Sequence, residues 1–230
     1  MLISHHHRFA FIHVPKTGGS SVARALWSFA DHPEDHWANR CLAAIGIRVN
    51  NYAPMRMRKF RPHTSAAVLR RTLPAGMFES MFTFAFVRNP WDLLVSYFHF
   101  LRDAEGHSSH VHHRRGLAAR LPDFEAYVRY EIRRGKISQT RMVADNRGRV
   151  LVEYLGRYES LADDFAHACR RIGIEAVLGR ANVSVRGDYR DYYTDRLAAL
   201  VRDAYAEDVE RFGYEFAAPG AATPALRRAG

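Results

Sequence analysis

Two segments of the chain share one design, in which a short apolar strand runs into a small loop that opens a helix. The first strand is predicted over residues 8–14, and the loop at residues 15–21 follows it. The second strand is predicted over residues 82–87, and the segment 88–92 follows it. Backbone N–H groups and a cation at the end of a strand favour a bound anion. Two such segments predict a ligand with two separate anionic groups.

Strands and helices alternate along the rest of the chain. A third strand is predicted at residues 150–154, and Asn89 and Pro90 are typical of the start of a helix. Further helices are predicted at residues 19–30, 65–71, 122–134, 159–172 and 191–211. This order favours an α/β fold with a central, mostly parallel sheet flanked by helices. Ligands bind beyond the carboxyl ends of such strands, so we expect both loops at one edge of the sheet.

Composition bounds the size of the core and the charge of the surface. The 230 residues are 47% hydrophobic, which is enough for one core. We predict a single domain over residues 1–216 and a flexible tail at residues 217–230. The formal net charge of +10 favours acidic partners such as nucleotides, nucleic acid or anionic polysaccharide.

Cysteine usage and hydropathy indicate the compartment. Cys41 and Cys169 form no C-x-x-C pattern and read as reduced, structural residues. No apolar run is long enough to span a bilayer, and no signal peptide is recognised before the first strand. We therefore expect a cytoplasmic protein without a membrane span.

The first loop differs from the Walker A motif, in which a Gly-Lys pair follows a first glycine and four further residues. Here Lys16, one of only three lysines in the chain, precedes Gly18 and Gly19. No Asp follows a strand where a Mg²⁺ ligand is expected. These differences argue against an ATPase or a kinase and favour a phosphate-binding loop without a metal.

A second candidate for metal binding is the His-rich and Arg-rich loop at residues 105–120. Its histidines have no spacing of a closed metal site, and neither carboxylates nor cysteines accompany them. The pattern favours a flexible polar loop, and we predict no metal site.

Both loops resemble the donor-binding elements of one enzyme family. The first is similar to the 5′-phosphosulfate-binding loop of sulfotransferases that use PAPS (3′-phosphoadenosine-5′-phosphosulfate), and consists of Pro15, Lys16, Thr17, Gly18, Gly19, Ser20 and Ser21. The segment 88–92, with Ser96 and Tyr97, is similar to their 3′-phosphate-binding element. Residues 157–159, 182–184 and 212–214 resemble the carbohydrate (family 2-like) branch, so the resemblance covers most of residues 8–216.

The resemblance implies a fold and a reaction. The fold is a P-loop-like three-layer sandwich. The reaction moves a sulfuryl group from PAPS to a hydroxyl of a carbohydrate or glycoconjugate by in-line displacement. PAP (3′,5′-bisphosphorylated adenosine) is released, and no metal is required.

The resemblance also implies roles for the donor-binding residues. Arg88 and Ser96 hold the 3′-phosphate, and a late loop with Ser184 and Arg186 closes over it. Backbone N–H groups of residues 16–21 hold the 5′-phosphosulfate. Lys16 stabilises the charge that develops on the leaving phosphate.

A base must take the proton of the acceptor hydroxyl. His63 lies upstream of the second strand, where the carbohydrate enzymes of this type carry a catalytic histidine. A histidine titrates near neutral pH, as a general base should. Glu34, Asp35 and His36 are alternative bases, because other sulfotransferase branches use a glutamate.

Other functions stay open at this point. The same scaffold suits a non-catalytic nucleotide- or polyanion-binding protein, or a P-loop kinase. Nucleic-acid binding rests on charge alone, since no aromatic stacking motif accompanies it, and we expect no nucleic-acid partner. The basic residues at 56–61 and 114–120 favour an acidic glycan acceptor or are solvated surface. Small-molecule, lipid-linked and protein tyrosine acceptors are alternatives.

Overall fold

The computed structural model describes residues 1–32, 40–41, 44–45, 51–52, 57–58, 60–102, 120–179 and 187–216. These residues group into two compact units. The first contains the described residues of 1–86 and 141–179, and the second those of 87–140 and 187–216. The tail at 217–230 and most of the His-rich loop lie outside the described residues. The single domain over residues 1–216 stays a prediction.

The secondary structure alternates as the sequence predicts. The strands are β1 (Leu2–Ser4), β2 (Phe9–Ile12), β3 (Asn51–Tyr52), β4 (Met57–Arg58), β5 (Phe82–Val87) and β6 (Tyr154–Arg157). The helices are α1 (Gly19–Ala25), α2 (Ala66–Thr72), α3 (Pro90–Arg102), α4 (Phe124–Arg134), α5 (Thr140–Val143), α6 (Leu161–Ile172), α7 (Asp195–Ala204) and α8 (Ala206–Phe212).

A four-stranded sheet with the order β1-β2-β5-β6 forms the centre of the first unit. β1 is antiparallel to β2, whereas β2 is parallel to β5, with Phe9 opposite Phe82 and Ile12 opposite Ala85. β3 and β4 form a separate antiparallel pair. The α/β fold with a central, mostly parallel sheet flanked by helices is confirmed.

Phenylalanines cover one face of this sheet. Side chains alternate between the two faces of a strand, so every second residue of β2 and β5 points the same way. The core on this face combines those phenylalanines with residues of α1 and α6, namely Phe9, Phe11, Phe84, Phe86, Val22, Leu26, Phe165, Ala168 and Cys169. Each buried phenylalanine contributes about 1.5–3 kcal/mol by leaving water. This packing fixes the ends of β2 and β5, where the two loops begin.

The strand predicted at residues 150–154 occurs later in the chain, as β6 at Tyr154–Arg157. Val150 forms an isolated antiparallel bridge with Ala144 across a tight turn. The Asp145 carboxylate closes this turn, because its Oδ1 accepts from the backbone N–H of Arg147 at 2.9 Å and of Arg149 at 3.0 Å. The first residues of the apolar run at 150–154 belong to this turn and its bridge. β6 therefore begins only at Tyr154.

Two helices are shorter than predicted. The helix expected at 191–211 divides at Tyr205, whose φ of −114° and ψ of 26° lie outside the helical region. Its first part, α7, begins after Thr194, whose side chain caps Leu197 N–H. The helix expected at 19–30 ends at Ala25, and a short 3₁₀ turn follows at Trp27–Phe29. β1 was not predicted, because three residues are too few to show a period.

Helix α3 is the centre of the second unit. Asn89 caps it as predicted, since Asn89 Oδ1 accepts from Trp91 N–H at 3.0 Å. The Trp91 indole donates to the Ala198 carbonyl oxygen at 3.0 Å, and the Phe98 ring centroid lies 5.3 Å from that of Phe124. α3 is buried along most of its length, so it is a rigid support for the segment that precedes it. Within the described residues, no helix is long and apolar enough to cross a membrane.

Candidate active site

The loop between β2 and α1 has an unusual backbone. Lys16 has a φ of 65°, in the left-handed region, and Gly18 has a φ of 78° at the start of α1. A left-handed residue other than glycine costs about 1–2 kcal/mol, and such strain clusters at functional sites. The Thr17 hydroxyl donates to the Val14 carbonyl oxygen at 2.9 Å. Its side chain therefore braces the loop.

The first turn of α1 uses some of the backbone N–H groups that could otherwise bind an anion. The backbone N–H groups of Ser21 and Val22 both donate to the Gly18 carbonyl oxygen, at 3.0 and 3.2 Å. The N–H of Ser21 is thus used in the first helical turn. The candidate groups of this loop for binding an anion are the backbone N–H groups of residues 16–20, the Lys16 ammonium and the hydroxyls of Ser20 and Ser21.

Close packing requires glycine at two positions of this loop. A Cβ on Gly18 would lie 2.5 Å from Leu161 Cδ2 and 3.3 Å from Tyr158 Cδ2. A Cβ on Gly19 would lie 2.1 Å from His13 Cδ2. The loop therefore contacts the β6–α6 junction at Gly18 and the His13 ring at Gly19.

The predicted base lies against this histidine. His63 Nδ1 is 2.9 Å from the backbone carbonyl oxygen of His13, and the two ring centroids are 4.6 Å apart. A carbonyl oxygen only accepts, so Nδ1 of His63 carries the proton and donates. In the neutral ring the lone pair is then on Nε2, which can accept a proton from an acceptor hydroxyl.

Partial burial lowers the pKa of both rings and so favours their neutral forms. It lowers the pKa of His13 to about 3, with the N-terminal ammonium group and His63 adding smaller effects of the same sign. Burial also lowers the pKa of His63, and the hydrogen bond to His13 opposes this shift only in part. His63 is therefore in its proton-accepting form at neutral pH.

The segment that follows β5 holds Arg88 in the second unit. Arg88 is only 3% exposed. Its Nε and Nη2 both donate to Asp92 Oδ2, each at 2.7 Å. Its backbone N–H donates to Gln139 Oε1 at 2.8 Å, and its carbonyl oxygen accepts from Gln139 Nε2 at 2.7 Å. Ser96 lies further along, on α3, and is 8% exposed.

Three residues that touch these elements carry no local sequence signal. His13 and Gln139 contact candidate residues directly, and Asp164 holds the β6–α6 junction. Asp164 accepts from Tyr154 Oη at 2.8 Å, Arg157 N–H at 2.6 Å and Ser160 Oγ at 2.9 Å. The partners of His13 and Gln139 lie 50 and 51 positions away and depend on tertiary structure, whereas those of Asp164 lie within 10 positions. The position of His13, two residues before Pro15 of the loop, is the one hint in the sequence.

The predicted site residues divide between the units. The first unit brings Lys16 and its loop together with His63, and the second holds Arg88 and Ser96. Ser184 and Arg186 lie outside the described residues, as do the alternative bases Glu34, Asp35 and His36. Among the residues that the structure describes, no group of three His, Cys, Asp or Glu side chains could hold a metal ion.

Comparison with known proteins identifies the family. The model of a family described as the sulfotransferase family matches residues 1–215. No curated protein matches the chain. Among solved structures, the chain is similar to the crystal structure of mouse sulfotransferase SULT7A1 complexed with PAP. The TM-score is 0.49 at 15% identity, over 90% of this chain and 86% of that chain. Because the family match covers nearly the whole sequence, the chain belongs to the sulfotransferase family.

Proposed function

We propose that this protein transfers a sulfuryl group from PAPS to a hydroxyl of a carbohydrate or glycoconjugate. The observation that carries the proposal is the bond from His63 Nδ1 to the His13 carbonyl, beside the loop that bears Lys16. A neutral base and a cation at one loop suit a reaction in which a hydroxyl loses a proton while a leaving phosphate gains charge. The family match supports the reaction class.

In the proposed mechanism, the acceptor oxygen attacks sulfur in line with the bond to the 5′-phosphate. As the new S–O bond forms, the bond from sulfur to the phosphate oxygen breaks and PAP leaves. His63 Nε2 takes the acceptor proton, and Lys16 stabilises the negative charge on the leaving phosphate. As in phosphoryl transfer, positioning and charge stabilisation supply most of the catalysis.

Two clamps for the donor follow from the two anionic groups of PAPS. We assign the loop at residues 15–21 to the 5′-phosphosulfate, and Arg88 with Ser96 to the 3′-phosphate. Arginine suits the second role because its planar, permanently charged guanidinium binds phosphate oxygens in pairs. Ser184 and Arg186 complete this assignment by the resemblance of their segment to family members.

The acceptor class rests on two features of the sequence. Segments 157–159 and 182–184 resemble the carbohydrate branch of these enzymes. The net charge of +10 favours an acidic glycan. Mass spectrometry of the products formed with PAPS and a panel of glycan, lipid-linked, tyrosine-peptide and small-molecule hydroxyls tests this part. Sulfation of a non-carbohydrate acceptor alone would refute it.

Donor binding and turnover test the reaction itself. We expect PAP to raise the melting temperature without Mg²⁺, and labelled PAPS to be turned over by the wild type. Lys16→Ala and His63→Ala should lose transfer. His167→Ala is the matched control. His167 lies on α6, where its ring centroid is 4.7 Å from that of Tyr154, and it does not belong to the proposed site. Stabilisation by ATP with Mg²⁺ but not by PAP would favour a kinase. Full transfer by both site variants would refute the catalytic roles.

A further inference from the structure

We infer that Gln139 is a positioning residue that holds Arg88 for the 3′-phosphate of the donor, and that Asp208 anchors Gln139. The inference rests on the proposed function, because it takes Arg88 as the 3′-phosphate ligand. All four residues of the network, including Asp92, belong to the second unit.

The side-chain amide of Gln139 pairs with both backbone groups of Arg88. Oε1 accepts from the Arg88 N–H at 2.8 Å, and Nε2 donates to the Arg88 carbonyl oxygen at 2.7 Å. Gln139 is 1% exposed, so water does not replace either bond. A primary amide supplies one acceptor and one donor at this spacing, whereas a carboxylate supplies acceptors alone and an aliphatic side chain supplies neither.

Asp208 fixes the backbone that carries this amide. Its Oδ2 accepts from the Gln139 N–H and its Oδ1 from the Thr140 N–H, each at 2.8 Å. Asp208 is 2% exposed, and burial is the main cause of its raised pKa. The buried carboxylate on α8 therefore takes its hydrogen bonds from residues 139 and 140. A shift of residues 139–140 would leave it poorly satisfied.

Arg88 is consequently held at both ends. Gln139 fixes its peptide groups, and Asp92 Oδ2 accepts from Nε and Nη2 of its guanidinium. An arginine side chain loses rotamer entropy when it is ordered. Because Gln139 and Asp92 hold both ends of the residue, the guanidinium is preorganised for phosphate. Releasing the peptide end should weaken recognition of the 3′-phosphate in particular.

The test measures the affinity of the full chain for PAP and for adenosine 5′-phosphate, which lacks the 3′-phosphate, by isothermal titration. We expect Gln139→Leu to weaken PAP binding about tenfold, the equivalent of one to two buried hydrogen bonds. It should change binding of adenosine 5′-phosphate less than about twofold. In the Arg88→Ala background, Gln139→Leu should have no further effect on PAP, because its action runs through Arg88.

Controls separate positioning from general destabilisation. Val201→Ala removes apolar volume from a fully buried site on α7 in the same unit. It should lower the melting temperature without changing the ratio of the two affinities. If Gln139→Leu does not fold, Asp208→Asn provides the same measurement, because it leaves Gln139 in place and weakens its anchor. We expect a smaller but equally selective loss of PAP binding.

Three outcomes would overturn the inference. An equal loss of both nucleotides in the Gln139→Leu protein, or a further loss of PAP binding on top of Arg88→Ala, would show that Gln139 does not act through Arg88. Unchanged PAP affinity in Arg88→Ala alone would instead refute the assignment of Arg88 to the 3′-phosphate, and the inference with it.

Discussion

His63 donates a hydrogen bond from Nδ1 to the backbone carbonyl oxygen of His13 at 2.9 Å. The bond fixes the ring through a main-chain group, so a side-chain substitution at His13 does not by itself remove the acceptor. It leaves Nε2 as the basic nitrogen of neutral His63. Because His13 lies two positions before the first residue of the loop with Lys16, the bond sets the position of the proposed base relative to that loop.

The pH dependence of the reaction should follow His63. Burial lowers the pKa of His63 below its ordinary value of 6.5, and the protonated ring cannot act as a base. We expect kcat/KM to be constant near pH 7 and to fall only at a pH below 6.5. His63→Gln should lower kcat about 10²–10⁴-fold and remove this acidic limb. His167→Gln should keep both the wild-type kcat and the fall of kcat/KM at acidic pH. An acidic limb that persists in His63→Gln would assign the base elsewhere.

His13 should make the fold less stable in acid. The unfolded chain takes up a proton at His13 near pH 6.5, whereas the folded protein does so only near pH 3. Between these values the unfolded state binds more protons. The free energy of unfolding should therefore fall as the pH falls, by about 1.4 kcal/mol per pH unit from this residue.

Substitution of His13 isolates this effect. His13→Phe keeps a ring next to Phe11, whose centroid is 5.8 Å from that of His13, and removes the titration. Urea unfolding at several pH values between 7.5 and 4.5 should show a flatter dependence for His13→Phe than for the wild type. Carboxylates contribute equally to the pH dependence of stability in both proteins. Equal slopes of the free energy of unfolding against pH would therefore contradict the low pKa of His13.

Gly19→Ala should disrupt the His13–His63 pair. A Cβ at this position would lie 2.1 Å from His13 Cδ2 and 2.4 Å from His13 Nε2, so the ring must move. We expect a loss of about 1–3 kcal/mol in stability together with a large loss of kcat. Circular dichroism melts and the turnover assay measure these losses.

Two further variants test the cause. Gly179→Ala is the control, because a Cβ there meets nothing within 4 Å. The double variant Gly19→Ala/His13→Ala should recover much of the stability, since the obstructing ring is gone. Failure of this rescue would show that the close approach to His13 is not the reason for glycine.

Asp164 should support the β6–α6 junction, on which Gly18 packs. Asp164→Ala leaves Arg157 N–H and the hydroxyls of Tyr154 and Ser160 without their acceptor. We expect the free energy of unfolding to decrease by about 2–4 kcal/mol, measured by urea titration. Asp163→Ala is the matched control on the exposed side of the same helical turn, with an expected change of about 0.5 kcal/mol. Similar losses in the two variants would rule out the hydrogen-bond network as the cause.

Local patterns were enough to predict most elements near the site. The apolar residues of β5 and the Asn89 cap of α3 depend on neighbours in the sequence, and both were predicted where they occur. The division of the last long helix at Tyr205 was not, because the periodicity of its residues continues across the break. The start of β6 at Tyr154 was not predicted either, because it depends on the turn that Asp145 closes.

The sequence by itself determined the two strand–loop–helix segments, and through them the family, because these motifs consist of consecutive residues. Only the tertiary structure decided which side chains support them. Gln139 lies 51 positions from Arg88, and His63 lies 50 positions from His13. Hydrogen bonds over such separations depend on how the chain packs, since no local spacing or periodicity encodes them. The two loops can therefore be recognised from the sequence, whereas the tautomer of His63 and the hydrogen bonds that hold Arg88 are properties of the fold.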